Sequence, residues 1–166
     1  MKKTIIVLFI ATLLLTSNSN KKYIIPEEAI RFRIIANSNN IEDQVIKTAI
    51  KKELEDSVIV LLNNATSKED AQNIIDHNIW NIDNIIKKYN IPYQINYGIN
   101  YFPEKEYRNV TYRAGNYESL VITLGNGLGD NWWCVLYPPL CLIDEQNMSN
   151  SEYELYISKI LKSFKS

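Results

Sequence analysis

The chain has 166 residues, of which 46% are hydrophobic and 22% charged. That length suits one ordinary domain with a real core, and that composition excludes a disordered chain. A formal net charge of −1 offers no basic field to hold a phosphate backbone, so nucleic acid is not an expected partner.

The chain opens on MKKTIIVLFIATLLLTSNSN. Lys2 and Lys3 precede an eleven-residue, mostly apolar run at 5–15, and small polar residues follow. This is the layout of a secretory signal. A membrane span needs about 20 apolar residues. The run therefore predicts a signal peptide at 1–19, cleaved after Ser19, with an uncleaved anchor as the alternative. Either way the single domain at 20–166 is predicted to lie outside the cytoplasm, with peripheral or anchored membrane association as a consequence of the second case.

Residues 20–29 read as a lead-in broken by Pro26. The stretch IRFRIIA at 30–36 predicts a strand, with Phe32 and Ile34 on one face and Arg31 and Arg33 on the other. NSNN at 37–40 supplies turn and cap residues, and Glu42 and Asp43 suit a helix N-terminus. A helix is predicted over 41–62. Its end, VIVLL at 58–62, is apolar all round and is expected to be buried. A second helix starts after Thr66 and Ser67, with Glu69 and Asp70 in its first turn. Ala71, Ile74, Ile75, Ile79, Ile82, Ile85 and Ile86 form its apolar stripe, and Pro92 stops it.

The period then changes to two. Ile91, Tyr93, Ile95, Tyr97, Ile99 and Tyr101 alternate with polar residues or glycine, which predicts a half-buried strand. A charged connection, a short strand at 109–112, a turn at 114–117 and a strand at 117–124 are expected next. GNGLGDN at 125–131 reads as a flexible reversal, and WWCVLY at 132–137 as a strand ended by Pro138 and Pro139. Tyr153, Tyr156, Ile157, Ile160, Leu161 and Phe164 keep helical spacing. The order predicts an α+β fold: a largely antiparallel sheet, two central helices packed on one face, and a C-terminal amphipathic helix.

Chemistry is sparse. His77 falls opposite the isoleucine stripe, and one histidine without a placed partner makes neither a metal site nor a base. Trp80 is also off the stripe, either as a contact residue or under a loop. Gly125, Gly127 and Gly129 precede a strand rather than a helix, so they do not form a phosphate cradle. No nucleophile elbow, zinc helix or aspartic-protease motif is present. No catalytic residue, cofactor or metal is predicted.

The densest stretch is NWWCVLYPPLC at 131–141. A cysteine nucleophile needs a base, and two cysteines lack partners for a metal. Cys134 and Cys141 are therefore either a disulfide, favoured by export and by the Pro138-Pro139 turn, or two buried thiols. Strand alternation places one of Trp132 and Trp133 in the core and the other on the outer face. An outer tryptophan beside Pro138 and Pro139 has the character of an interface anchor.

Two stretches, IRFRIIANSNNIEDQVIK and AGNYESLVITLGNGLGDNWWCVLYPPLC, resemble the stage II sporulation protein R family of endospore-forming Firmicutes. The first is similar to an I-R-x-x-V-I-A-N-S-(D/N)-x-x-x-D-Q pattern. The second matches the family's glycine-spaced loop, Asn-Trp-Trp-Cys-Val and Pro-Pro-Leu-Cys in order and spacing. Arg33 stands where histidine is often found, and the C-terminal region is short and variable. The resemblance implies a secreted, non-enzymatic signal, exported from the forespore into the space between forespore and mother cell. There it would activate a membrane-embedded aspartic protease, its partner, which removes the pro-segment of sigma-E. The contact is expected at 128–141, through Trp132, Trp133, Pro138 and Pro139, with a second element at Asn37 and Asn39. The alternatives are an extracytoplasmic Cys-dependent hydrolase and a cell-wall-binding module.

Overall fold

A computed structural model describes residues 23–108, 110–141 and 148–164. The predicted signal segment lies outside the described residues. The elements run β1 (Tyr23–Ile24), β2 (Ile30–Ile35), α1 (Ile41–Leu54), α2 (Lys68–Lys87), β3 (Tyr93–Phe102), β4 (Lys105–Tyr107), β5 (Val110–Tyr112), β6 (Gly115–Leu124), β7 (Asn131–Tyr137) and α3 (Asn150–Phe164). The α+β class holds. The two sheets, however, are mixed rather than largely antiparallel.

The larger sheet has the order β3-β6-β2-β7. β6 runs antiparallel to β3, from Tyr93↔Leu124 to Phe102↔Gly115, but parallel to β2. β7 closes the other side antiparallel to β2. The parallel pair arises because both helices intervene between β2 and β3, so β6 reaches β2 by a crossover rather than a hairpin. The smaller sheet has the order β1-β5-β4. Two of its strands fall where the sequence suggested a lead-in and a charged connection. Gly115 and Asn116, expected in a turn, belong to β6, which starts two residues before the predicted strand at 117.

Alternation along β2 sends Ile30, Phe32 and Ile34 into the main core with Leu120, Ile122 and Leu124 of β6. Ile50 and Leu54 of α1 and Ala71, Ile75, Ile82, Ile85 and Ile86 of α2 join them. Burying one such side chain contributes about 1.5–3 kcal/mol, so this helix–sheet face dominates the stability. Ser67 caps α2: its hydroxyl accepts the Asp70 N–H at 3.0 Å. The Asp70 carboxylate accepts the Thr66 N–H at 3.2 Å, a capping box that reaches one residue further out.

Beyond α1 the helix passes through a π turn at Glu55–Ile59 before Val60–Leu62. The wider turn lets the consecutive Val58 and Ile59 both face the core. Val60 and Leu61 then rotate outward and are each 41% exposed. The apolar end at 58–62 is therefore buried only in part.

The opposite face of the large sheet is also covered. Val135 of β7 packs with Ile25, Ala29, Val110, Leu140 and the α3 residues Tyr153, Ile157 and Leu161. Phe102, Tyr117 and Val121 form a third cluster, with Trp133 against it. Arg31 lies inside this second layer, 1% exposed. Its guanidinium sits 3.4 Å from the Tyr117 ring centroid and 5.4 Å from that of Phe102, and donates to the Arg113 carbonyl at 3.2 Å. Burial lowers its pKa, and the nearby Tyr117 and Tyr112 oppose that shift.

Glu118 keys α2 to the sheet. Its carboxylate accepts from Gln72 at 2.8 Å and Tyr97 at 2.7 Å, and pairs with Lys68 at 2.9 Å. Burial disfavours its ionised form, but these partners outweigh burial and hold its pKa below the usual value.

Candidate functional site

Two sequence-distant segments meet at one end of the sheet. The Asn37 side-chain oxygen accepts the Asn126 N–H at 2.9 Å, and its amide donates to Asp43 at 2.9 Å. The Asn39 oxygen accepts the Asp130 N–H at 2.7 Å. The Leu128 and Gly129 N–H groups donate to the carbonyls of Asn37 and Ala36 at 3.0 and 2.9 Å. The glycine reversal is thus laced to residues 36–39, not a free hairpin. Gly125 has φ +55°, and a Cβ there would lie 2.2 Å from the Asn37 oxygen. A Cβ at Gly129 would lie 2.3 Å from the Ser38 carbonyl. Both glycines therefore permit a close approach of two chains. Leu128 projects from the tip, 79% exposed. The amides of Asn37 and Asn39 hold this loop in place.

β7 follows directly. Its side chains alternate, but neither tryptophan is fully outside. Trp132 lies on the helix side, edge-on to Phe32 at 5.4 Å, with the Lys51 ammonium 4.9 Å from its ring centroid. Trp133 lies on the other side, edge-on to Phe102 at 5.4 Å, with Lys105 at 5.2 Å. The expectation of one core and one outer tryptophan is corrected: both are half-buried, because the sheet is covered on both faces. Pro138 is buried and Pro139 half-buried, so Pro138 has no surface to offer a partner. Pro138 packs inside the turn that brings Leu140 back to β7, where the Leu140 N–H donates to the Val135 carbonyl at 3.0 Å.

Cys134 and Cys141 form a disulfide, with Cα atoms 5.3 Å apart. The returning turn, not the strand, supplies the geometry. The bond ties the end of the prolyl turn back onto β7. The chain has two cysteines, so in this oxidised form no thiolate is available, and the hydrolase alternative loses its nucleophile. His77 is exposed on α2, its Nδ1 2.6 Å from the Asn73 carbonyl oxygen. Trp80 is 66% exposed. Among the described residues no group of three metal-ligating side chains converges.

Beside β7 runs a groove of about 830 Å³. Its floor is Trp132, Trp133 and the disulfide, and α1 and β4 form its walls. On the α1 wall, Lys51 pairs with Glu55 at 3.2 Å and Lys52 with Asp56 at 2.7 Å. The β4 wall carries Lys105 and Arg108. Arg108 donates to the Met148 carbonyl at 3.3 Å and lies 5.5 Å from the ring centroids of Tyr107 and Tyr153. Sequence reasoning missed Lys105 and Arg108, because a three-residue strand in a charged segment has no periodicity to read. Only the placement of β4 across from β7 reveals them.

A family model described as stage II sporulation protein R matches residues 26–147. The stage II sporulation protein R of Bacillus subtilis (strain 168) is 37% identical over 166 aligned positions, covering 89% of this chain and 74% of that protein. No solved structure matches the chain.

Proposed function

Because this chain belongs to the stage II sporulation protein R family, a family of sporulation proteins, we propose that it is a secreted signal that activates a membrane-embedded aspartic protease. In this reading the chain leaves the forespore and enters the space between the forespore and mother-cell membranes. It binds the protease there, and the protease processes pro-sigma-E. One observation supports the reading. The stretch 131–141, which carries the dense tryptophan, cysteine and proline string, lines a groove and, with both cysteines in a disulfide, holds no free thiol. A disulfide closes it, two half-buried tryptophans floor it, and a groove runs along it. The disulfide supports a location outside the reducing cytoplasm, and the basic-then-apolar start at residues 2–15 supports export.

Activation without chemistry requires differential binding. The domain shifts the protease toward its active state only by its affinity difference between the two states. Carrying a population from 1% to 99% active takes a preference of about 10⁴-fold. A large, partly apolar surface is suited to such a difference, and the loop tip at Leu128 extends it.

Reconstitution tests the reading. The full chain is co-expressed with the protease and pro-sigma-E in a non-sporulating host, and processing is followed by immunoblot. Processing that depends on the chain is expected. Absence of processing with all three proteins folded and the chain exported would overturn the proposal. Co-sedimentation with peptidoglycan in place of processing would favour the wall-binding module.

A further inference from the structure

The backbone of β7 has one side that no strand of the sheet uses. β7 is the last strand of the four-stranded sheet. In its antiparallel ladder with β2, successive residues turn their backbone groups toward and away from the partner. The Asp130 carbonyl accepts the Ala36 N–H at 3.4 Å, toward β2, whereas the Val135 carbonyl accepts the Leu140 N–H. By the same alternation, the N–H and C=O of Asn131 and Trp133 face away from β2. The prolyl turn covers the edge at Val135 and leaves it open at Asn131 and Trp133, which line the groove.

β4 is the end strand of the other sheet, and its Lys105 ammonium lies 5.2 Å from the Trp133 ring centroid. The groove thus runs between the end strands of two sheets. An open strand edge is a template for a further strand. The groove's charge selects what that strand carries. Glu55 and Asp56 are already paired with Lys51 and Lys52. Lys105 and Arg108 have aromatic rings beside them and, among the described residues, no ion pair with a carboxylate.

We propose that this groove binds an extended acidic peptide segment of a partner protein, added as a strand to β7 at Asn131 and Trp133. Main-chain hydrogen bonds to those two residues supply the strand register. Alternate side chains of the segment then point to opposite sides. One set packs on the helix side, over Trp132 and the disulfide, and the other, on the Trp133 side, carries carboxylates to Lys105 and Arg108. The inference rests on the reading that a partner recognises 131–141, and it specifies that partner's chemistry.

The test uses the full, oxidised chain and three short fluorescent synthetic peptides followed by anisotropy. One alternates Glu and Val, the second alternates Lys and Val, and the third is the Glu–Val peptide with every second amide N-methylated. Saturable binding of the Glu–Val peptide is expected, with each of the other two weaker by about tenfold or more. Raised salt should weaken it further. The surface variant Lys105→Glu/Arg108→Glu, checked by circular dichroism for an intact fold, should erase the preference for the acidic peptide. Lys105→Gln/Arg108→Gln serves as a second variant if that one fails to fold. In NMR titration the amide signals of Asn131 and Trp133 should move. No saturable binding, equal binding of all three peptides, or shifts confined to the Leu128 loop would overturn the proposal. Peptide binding as expected without sigma processing in the reconstituted host removes the protease reading and keeps the groove. Processing without selective peptide binding does the reverse.

Discussion

The side-chain oxygen of Asn37 accepts the backbone N–H of Asn126 at 2.9 Å, across 89 residues of sequence. This bond joins the segment after β2 to the glycine loop before β7. Asn37→Ala should destabilise the protein by about 1 kcal/mol and speed hydrogen exchange at the Asn126 amide. Gly125→Ala should cost more, about 2–3 kcal/mol, because its Cβ meets Asn37 and its φ is positive. Urea unfolding ranks the two.

Arg31 is a buried cation held by ring faces rather than by a carboxylate. A desolvated cation–π contact is worth about 2 kcal/mol or more. Tyr117→Leu leaves the charge without its nearest ring and should destabilise by about 2–4 kcal/mol. Arg31→Met removes the charge together with its desolvation cost and should change stability by less than about 1 kcal/mol. In the double variant the two effects should not add, which a denaturation cycle measures.

Glu118 has a folded-state pKa held below its ordinary value. A depressed carboxylate stabilises the fold above its unfolded pKa, and that contribution is lost as pH falls through the folded value. Glu118→Gln should therefore cost about 1–2 kcal/mol at pH 7, and the gap from wild type should narrow below about pH 4. Urea midpoints across that range check the sign.

The disulfide closes a short loop, with seven positions of sequence separation. Chain-entropy reasoning gives it about 2.5 kcal/mol. Cys134→Ser/Cys141→Ser should lower the unfolding midpoint accordingly and leave a folded domain. Partial retention of sigma processing by that variant separates a docking surface from a cysteine enzyme, for which activity would vanish.

Trp133→Ala removes a ring that packs on Phe102 and floors the groove. It should reduce processing in the reconstituted host to a greater extent than Trp80→Ala, which removes an exposed ring on α2. Equal processing by the two variants, with both folded, would exclude the groove as the activating surface.

Much of this protein is decided locally. The isoleucine stripe of α2, the Ser67 cap, the alternation of β3 and the prolyl stop after β7 each follow from residues a few positions apart, because helix and strand periods are local properties. The family signature is likewise legible as a string. The tertiary structure decided how that string is placed. The parallel pairing of β2 with β6 depends on where the chain returns after two helices, and no local pattern records it. The second layer, with β1, β4, β5 and α3, turned an apparently one-sided sheet into a doubly covered one. That layer buried Arg31 and, with Phe102, drew Trp133 half inside. It also set Lys105 and Arg108 across from β7, forming a groove whose two walls, α1 and β4, are about fifty residues apart in sequence.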